Sequence, residues 1–495
     1  MHPSRHASSP AKIDISSPQP HVHVVAASAP KRQYFRVNCQ TRTNTLALLA
    51  GVLLLLSPHL HGEADVAAAS ARTTPEWLRA GTIYELFPRD FSTSGNLNAI
   101  TARLDELHDL GVSILWVMPI HPVGLKGRKG EYGSPYSISD YYAINPEYGT
   151  LNDFQKLVAG AHQRGMKVIM DIVANHTSWD SVMMQHMEFY KQDAPGHVIP
   201  PVPEWSDVAG LNYSNAGLRQ YMLSMLKYWM KETDVDGFRC DVAYMVPTDF
   251  WEQARAELTQ IKPDFMMLAE ASKPELLTNA FDIDYSWPLL ATLNNVLQRG
   301  APATDLRKSW EESRRQFPQH ALHMRISDDH DEARAVGRYG LGGALAASAL
   351  MFTLDGVPLL YNGMEVGDTT ESGDPALFEK LPIFWHPKER PPLRDIYRDL
   401  IQLRKRYPAF RADRVEWVRN SDETRLVSFL RGDECDEFLV LINFSNRPFI
   451  GQVELKDAER FGPVKISGLP DSDGHALPSF RLNGFEWRIF HRPAK

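Results

Sequence analysis

Eight short apolar runs recur between Trp77 and about Tyr407, and most of the polar stretches between them carry helical spacing. The runs are "TIYELF" (82–87), "ILWVMPI" (114–120), "KVIMDIVA" (167–174), "VDGFRCDVA" (235–243), "FMMLAEA" (265–271), "AFDIDY" (280–285), "LHMRIS" (322–327) and "VPLLYNG" (357–363). Their length and their β-branched and aromatic content predict strands. Between them, "LNAITARLDELHDLG" and "LNDFQKLVAGAHQRG" space their apolar residues as helices do, and each ends in the glycine that commonly stops one. Eight strand-then-helix units over roughly 330 residues predict a closed (β/α)8 TIM barrel spanning 77–407. A doubly wound open sheet is the alternative. No glycine-rich phosphate loop follows any strand, which weighs against a nucleotide-binding version. The gap after the third run, 177–211, predicts a small inserted subdomain. Beyond "LIQLRKRYPAFRAD" the runs become "RLVSFLR", "FLVLINF", "IGQVEL" and "FEWRIF", which predict a C-terminal antiparallel β-sandwich domain over 409–495.

The first 71 residues differ. "LALLAGVLLLL", Leu46–Leu56, is preceded by Arg36 and Arg42 and followed by small residues. It is shorter than the ~20 apolar residues a membrane span needs. It reads as the core of a secretory signal with cleavage after Ala71, so the expectation is a secreted or periplasmic protein with no stable membrane span. A buried helix is the alternative. The patternless stretch before it, rich in Ser, Pro and His, suggests translation starting nearer Val37. Losing residues 1–71 would take the formal charge from −8 to −11, since they hold six basic and three acidic residues.

Composition narrows the class little. The chain has 495 residues, 43% hydrophobic and 23% charged, which suits one large domain plus a smaller one. An acidic balance gives no basic patch for a nucleic-acid partner. The 11 Trp suit a carbohydrate binder, although a large core also uses them. Cys39 precedes the apolar run, and Cys240 and Cys435 follow with no CxxC or Cys/His spacing for zinc.

The chemistry lies at the strand ends. In "DGFRCDVAY", Arg239 and Asp241 are two residues apart and share one strand face, a costly placement unless each satisfies the other. Catalytic groups of barrels sit at C-terminal strand ends. Reading those ends gives Asp171, Asn175 and His176 after strand three, Asp241 after strand four, Glu270 after strand five, and Asp329, His330 and Asp331 after strand seven. Three carboxylates would converge with a cation and two imidazoles around them.

"DIVANH", "GFRCDVA", "LAEAS" and "DDHD", in that order on eight strands, resemble the motifs of the α-amylase superfamily, glycoside hydrolase family 13. "SPYSISDYYAINPEYGT" and "GVPLLYNGMEVG" support the likeness, which runs from strand one to strand eight. The resemblance implies Asp241 as nucleophile, Glu270 as general acid/base and Asp331 as a third carboxylate that stabilises the transition state. It also implies that His176 and His330 bond sugar hydroxyls, that Tyr136 is a platform beneath the sugar, and that Asp171 braces Arg239. A retaining glycosidase needs such a carboxylate pair ~5–5.5 Å apart with separated pKa values. Arg239 is expected to keep Asp241 ionised, and an apolar setting to hold the proton of Glu270. Each assignment has a plainer rival, from barrel-layer polar groups to an ordinary ion pair. The motifs weigh together against those rivals.

Two positions depart from the family. Lys-His, common after the nucleophile motif, is replaced by Tyr244 and Met245, and Gly210 stands where an Asp is usual. Both changes remove groups that serve a calcium site, leaving Asn175, so no metal or other cofactor is assigned. Asp329 replaces the usual Asn, and a carboxylate beside Asp331 should raise the pKa of one of the two. The expected activity is retaining hydrolysis of α-1,4-glucosidic bonds in an α-glucan or maltooligosaccharide. The alternatives are a family 13 transglycosylase, a glucan or trehalose-type isomerase and, in a different class, a non-catalytic carbohydrate-binding protein.

Overall fold

All eight apolar runs become neighbouring parallel strands of one closed barrel in the computed structural model, which describes residues 63–373, 376–386, 393–470 and 475–494. In chain order these are β1 (Ile83–Leu86), β2 (Ile114–Val117), β3 (Lys167–Val173), β4 (Gly237–Asp241), β5 (Met266–Ala269), β6 (Ile283–Tyr285), β7 (His323–Arg325) and β8 (Val357–Tyr361). Each pairs with the next, and β8 closes on β1. Buried on both faces, they are mainly apolar, and the charges they do carry, such as Glu85, Asp171, Arg239 and Asp284, are buried with partners. The ladders are shorter than the runs because residues at one or both ends of a run turn into the loops. Glu270 therefore stands just past β5, and Asp329–Asp331 lie beyond β7.

Local signals set the helices. Helix Leu151–Gln163 starts at a capping box between Thr150 and Asp153. The helix expected around "LNAITARLDELHDLG" forms as two pieces, Leu97–Thr101 and Leu104–Leu110, with Arg103 out of helical geometry between them. Gly111, at φ 100°, ends the second piece in the left-handed region that glycine tolerates. Where β4 meets β5, Gly237 has no room for a side chain: a Cβ there would lie 2.1 Å from the Met266 carbonyl oxygen.

The segment after β3 contains an antiparallel hairpin, His176–Ser178 with Val208–Gly210. Beyond the last barrel helix, Arg394–Arg406, comes a five-stranded antiparallel sheet: Val415–Trp417, Leu426–Gly432, Asp436–Asn443, Trp487–Pro493 and Gly462–Pro463. A two-stranded sheet, Phe449–Gln452 with Ser479–Leu482, faces it across a core that includes Leu439, Leu441, Phe480 and Leu482. Alternation sends Phe438, Val440 and Ile442 the other way, into the core shared with the barrel.

The apolar run Leu46–Leu56 and the suggested start near Val37 lie outside the described residues. The expected cleavage point after Ala71 does not: Gln319 N–H donates to Ala69 O (2.9 Å), and Ala71 N–H donates to Gln319 O (2.8 Å). Among the described residues no helix is long and apolar enough to cross a membrane.

Candidate active site

Arg239 is the hub of the site. It is fully buried, its guanidinium lies over the rings of Trp116, Tyr136 and Tyr285, and three carboxylates answer its charge. Register places Asp171 of β3 beside it, and Nη1 donates to both Asp171 oxygens at 3.0 and 3.2 Å. Nη1 also reaches Asp241 Oδ1 at 3.1 Å, and Nη2 donates to Glu270 Oε2 at 2.8 Å. Asp171 is held in turn by Trp116 Nε1–H and the Tyr136 hydroxyl, each at 3.1 Å. Asp171 thus braces Arg239, and Arg239 aims the two carboxylates.

Asp241 and Glu270 bind the two terminal nitrogens of one guanidinium, which holds them close. Burial pushes the Asp241 carboxyl well above its ordinary range, the facing Glu270 adds to this, and Arg239 pulls down without prevailing. Two expectations are therefore corrected. Arg239 pulls the Asp241 carboxyl down as expected, but desolvation and a second carboxylate outweigh it, so the net shift is upward. The surroundings of Glu270 are polar rather than apolar: besides Arg239, its Oε2 accepts the backbone N–H of Val242 at 2.7 Å. Val242, a β-branched residue, adopts φ 36° and ψ 46°, a left-handed geometry that turns its N–H onto Glu270.

His330 lies beneath Tyr136, with the rings stacked 5.3 Å apart. Its Nδ1 bonds Glu85 of β1, and its Nε2 meets the Tyr136 hydroxyl at 2.8 Å and Asp331 Oδ2 at 3.2 Å. Burial alone would lower the pKa of His330, but Asp331 and Glu85 outweigh it and push it up to about 10. His176 goes the other way: burial lowers it to about 4, so it is a neutral imidazole. It sits edge-on to Trp205, with ring centroids 5.6 Å apart. Asp329 is buried, its Oδ1 accepting the Glu332 N–H, and burial together with Asp331 raises it well above the carboxylate range.

A cavity of about 450 Å³ opens over these groups. Tyr136, His176, Asp241, Glu270 and Asp331 line it; Arg239, Asp171 and His330 support the lining from below. Asn175 is placed apart, behind His176. Its carboxamide faces His176 Nδ1 (3.3 Å) and the Met245 thioether (3.7 Å), and its carbonyl accepts the Leu211 N–H. One amide oxygen beside a thioether and a glycine does not fit a hard cation that needs ~6–8 oxygens. Among the described residues no cluster of three His, Cys, Asp or Glu side chains is arranged as metal ligands.

Sequence reasoning missed Glu85, Lys129, Trp205, Trp287 and Phe378. Glu85 carried a readable signal, a lone charge in an apolar strand, as with Arg239. Lys129, Trp205 and Phe378 come from the connections between strands, where no periodicity marks an inward side chain, and Trp287 opens the helix Trp287–Arg299.

The description "alpha amylase, catalytic domain" matches residues 73–195 and 204–391. An alpha-amylase of Haloarcula japonica is 31% identical over 408 residues, covering 78% of this chain and 58% of its own length. A noncanonic maltogenic alpha-amylase from Thermotoga neapolitana superposes with a TM-score of 0.77 at 29% identity, over 85% of this chain and 100% of that one. The Bacillus subtilis relative, 26% identical over 81% of this chain and 73% of its own, is an intracellular maltogenic amylase. That relative overturns the expectation of a secreted or periplasmic protein.

Proposed function

The chain belongs to the alpha-amylase family of glycoside hydrolases, and from that premise we propose that it hydrolyses α-1,4-glucosidic bonds of α-glucans or maltooligosaccharides with retention. The observation that carries this reading is the pair Asp241 and Glu270, from adjacent strands, held by one guanidinium at the floor of an aromatic-walled cavity. Asp241 attacks the anomeric carbon and forms the glycosyl-aspartate. Glu270 protonates the departing glycosidic oxygen, which frees the leaving chain. It then takes a proton from water as that water displaces Asp241. The bonds from Arg239 and Val242 both fall on Oε2, which leaves Oε1 of Glu270 to carry the proton to the glycosidic oxygen. Positive charge developing on the sugar meanwhile favours the anion on Asp241 and Asp331. Tyr136 supports the ring and His176 bonds its hydroxyls, while His330, its ring nitrogens taken by Glu85 and by Tyr136 and Asp331, positions those groups from below. His176 carries one N–H donor, whereas His330 is an imidazolium.

Chromatography of maltoheptaose digests tests this. The wild type should yield only shorter maltooligosaccharides, and Glu270→Gln should fall by about 10²–10⁴-fold, the scale of a lost general acid. Products longer than the substrate would replace hydrolysis with transfer as the main reaction. An active Glu270→Gln would remove Glu270 from the chemistry.

A further inference from the structure

Three loops meet on one side of the cavity and are tied to one another. The loop after β2 reaches the loop after β8 through Tyr132 N–H to Phe378 O (3.0 Å) and Glu131 N–H to Glu379 Oε1 (3.2 Å). Arg89, buried under both, donates from Nη1 to Gly133 O (2.9 Å) and Leu377 O (3.0 Å). Gly130, at φ 64°, permits this approach, since a Cβ there would lie 2.5 Å from Phe378 Cβ. The same loop reaches the insertion after β3 through Ser137 Oγ–H to Asp207 O (3.1 Å). The Lys129 side chain spans what gap remains, with Nζ 2.9 Å from Asp207 Oδ1 and 5.9 Å from the centre of the Phe378 ring.

Barrel order says which side this is. β8, β1, β2 and β3 are consecutive around the barrel, and β5, which carries Glu270, lies across from β1. The leaving chain departs beside the acid, over Glu270 and Trp287. The glycone therefore points toward Phe378, Lys129 and Asp207. On that side the Lys129 side chain joins Asp207 to the Phe378 ring. The cavity, about 450 Å³, is of ordinary size for a binding pocket.

We propose that the loops after β2, β3 and β8 wall off the glycone side, so that the enzyme removes a short unit from the non-reducing end of linear maltodextrins instead of cutting within them. This rests on the hydrolase reading above. Lys129 is partly exposed while Asp207 is buried, so Lys129→Ala opens the wall and leaves the Asp207 carboxylate without its cation.

The test is a reducing-end p-nitrophenyl maltoheptaose digested at initial rate, with the labelled fragments sized. The wild type should give a single labelled fragment, shorter than the substrate by one fixed unit. Lys129→Ala with Phe378→Ala should add internal cuts, raising the ratio of internal to terminal cleavage about tenfold or more, the discrimination a few lost contacts provide. Lys129→Ala alone should fall between, and it keeps the test open if the double variant misfolds. Labelled fragments of every length from the wild type would overturn the proposal, as would a terminal pattern that neither variant changes. No cleavage by the wild type would instead overturn the hydrolase reading, and the proposal with it.

Discussion

Glu85 is where one atom-scale contact reaches furthest into the chemistry. Its carboxylate on His330 Nδ1 and the Asp331 carboxylate on Nε2 keep the imidazole protonated while it is buried. Glu85→Gln preserves shape and removes the charge. The pKa of His330 then falls, and the ring loses its second proton at lower pH. The alkaline limb of kcat/KM should therefore move down in pH, and kcat/KM near neutrality should fall about 10–100-fold, the scale of one charge-assisted hydrogen bond. A purely structural role would lower thermal stability and leave the limb in place. Glu85 and Arg239 are legible in the same way: a charge inside an apolar strand is costly, so it has partners, and in a barrel those partners face inward. What the partners do to one another was not legible. The rise of Asp241 follows from burial and from the closeness of Glu270, neither of which a strand pattern contains.

At the scale of elements, the spacing of the catalytic pair is the spacing of β4 and β5. Gly237 lets β4 lie against the Met266 backbone, and Asp241 ends that strand. In Gly237→Ala the new methyl group meets a carbonyl oxygen, not a flexible side chain, so the strands must part. Destabilisation by about 2–3 kcal/mol is expected in denaturant unfolding. The displaced pair should also cost about 10²-fold in kcat, as a misplacement of ~1 Å does. Equal activity per folded molecule would uncouple the strands from the pair. All eight barrel strands were readable because parallel strands buried on both faces are apolar runs. The short strands Val415–Trp417 and Gly462–Pro463 were not, since they are two or three residues long and mostly exposed. The walls of the cavity were the least readable part. Lys129 and Phe378 owe their positions to ties between loops, which leave no period in the chain.

Over the whole molecule, the burial that dries the site also sets how stability responds to acid. His121 is fully buried, with Nδ1 bonded to Ala143 O at 3.0 Å, and burial lowers it to about 4. Unfolded, it titrates near 6.5. Between those values the unfolded chain binds a proton that the folded one refuses. Its contribution is therefore intact above about pH 6.5 and is lost as pH falls toward 4. His330 works with opposite sign: its folded value of about 10 gives a contribution that is full below about 6.5 and lost as pH rises toward 10. Buried carboxyls titrate in the acid window too, with Asp90 raised to about 6, so the wild-type curve alone does not isolate His121. A substitution does. His121→Asn keeps a donor for Ala143 and removes the titration. The stability gap between wild type and variant, measured by urea unfolding, should shift in the variant's favour by about 2 kcal/mol between pH 7 and pH 5. A gap that stays constant with pH would mean that His121 takes up its proton inside the fold, and the acid sensitivity would then belong to the carboxylates.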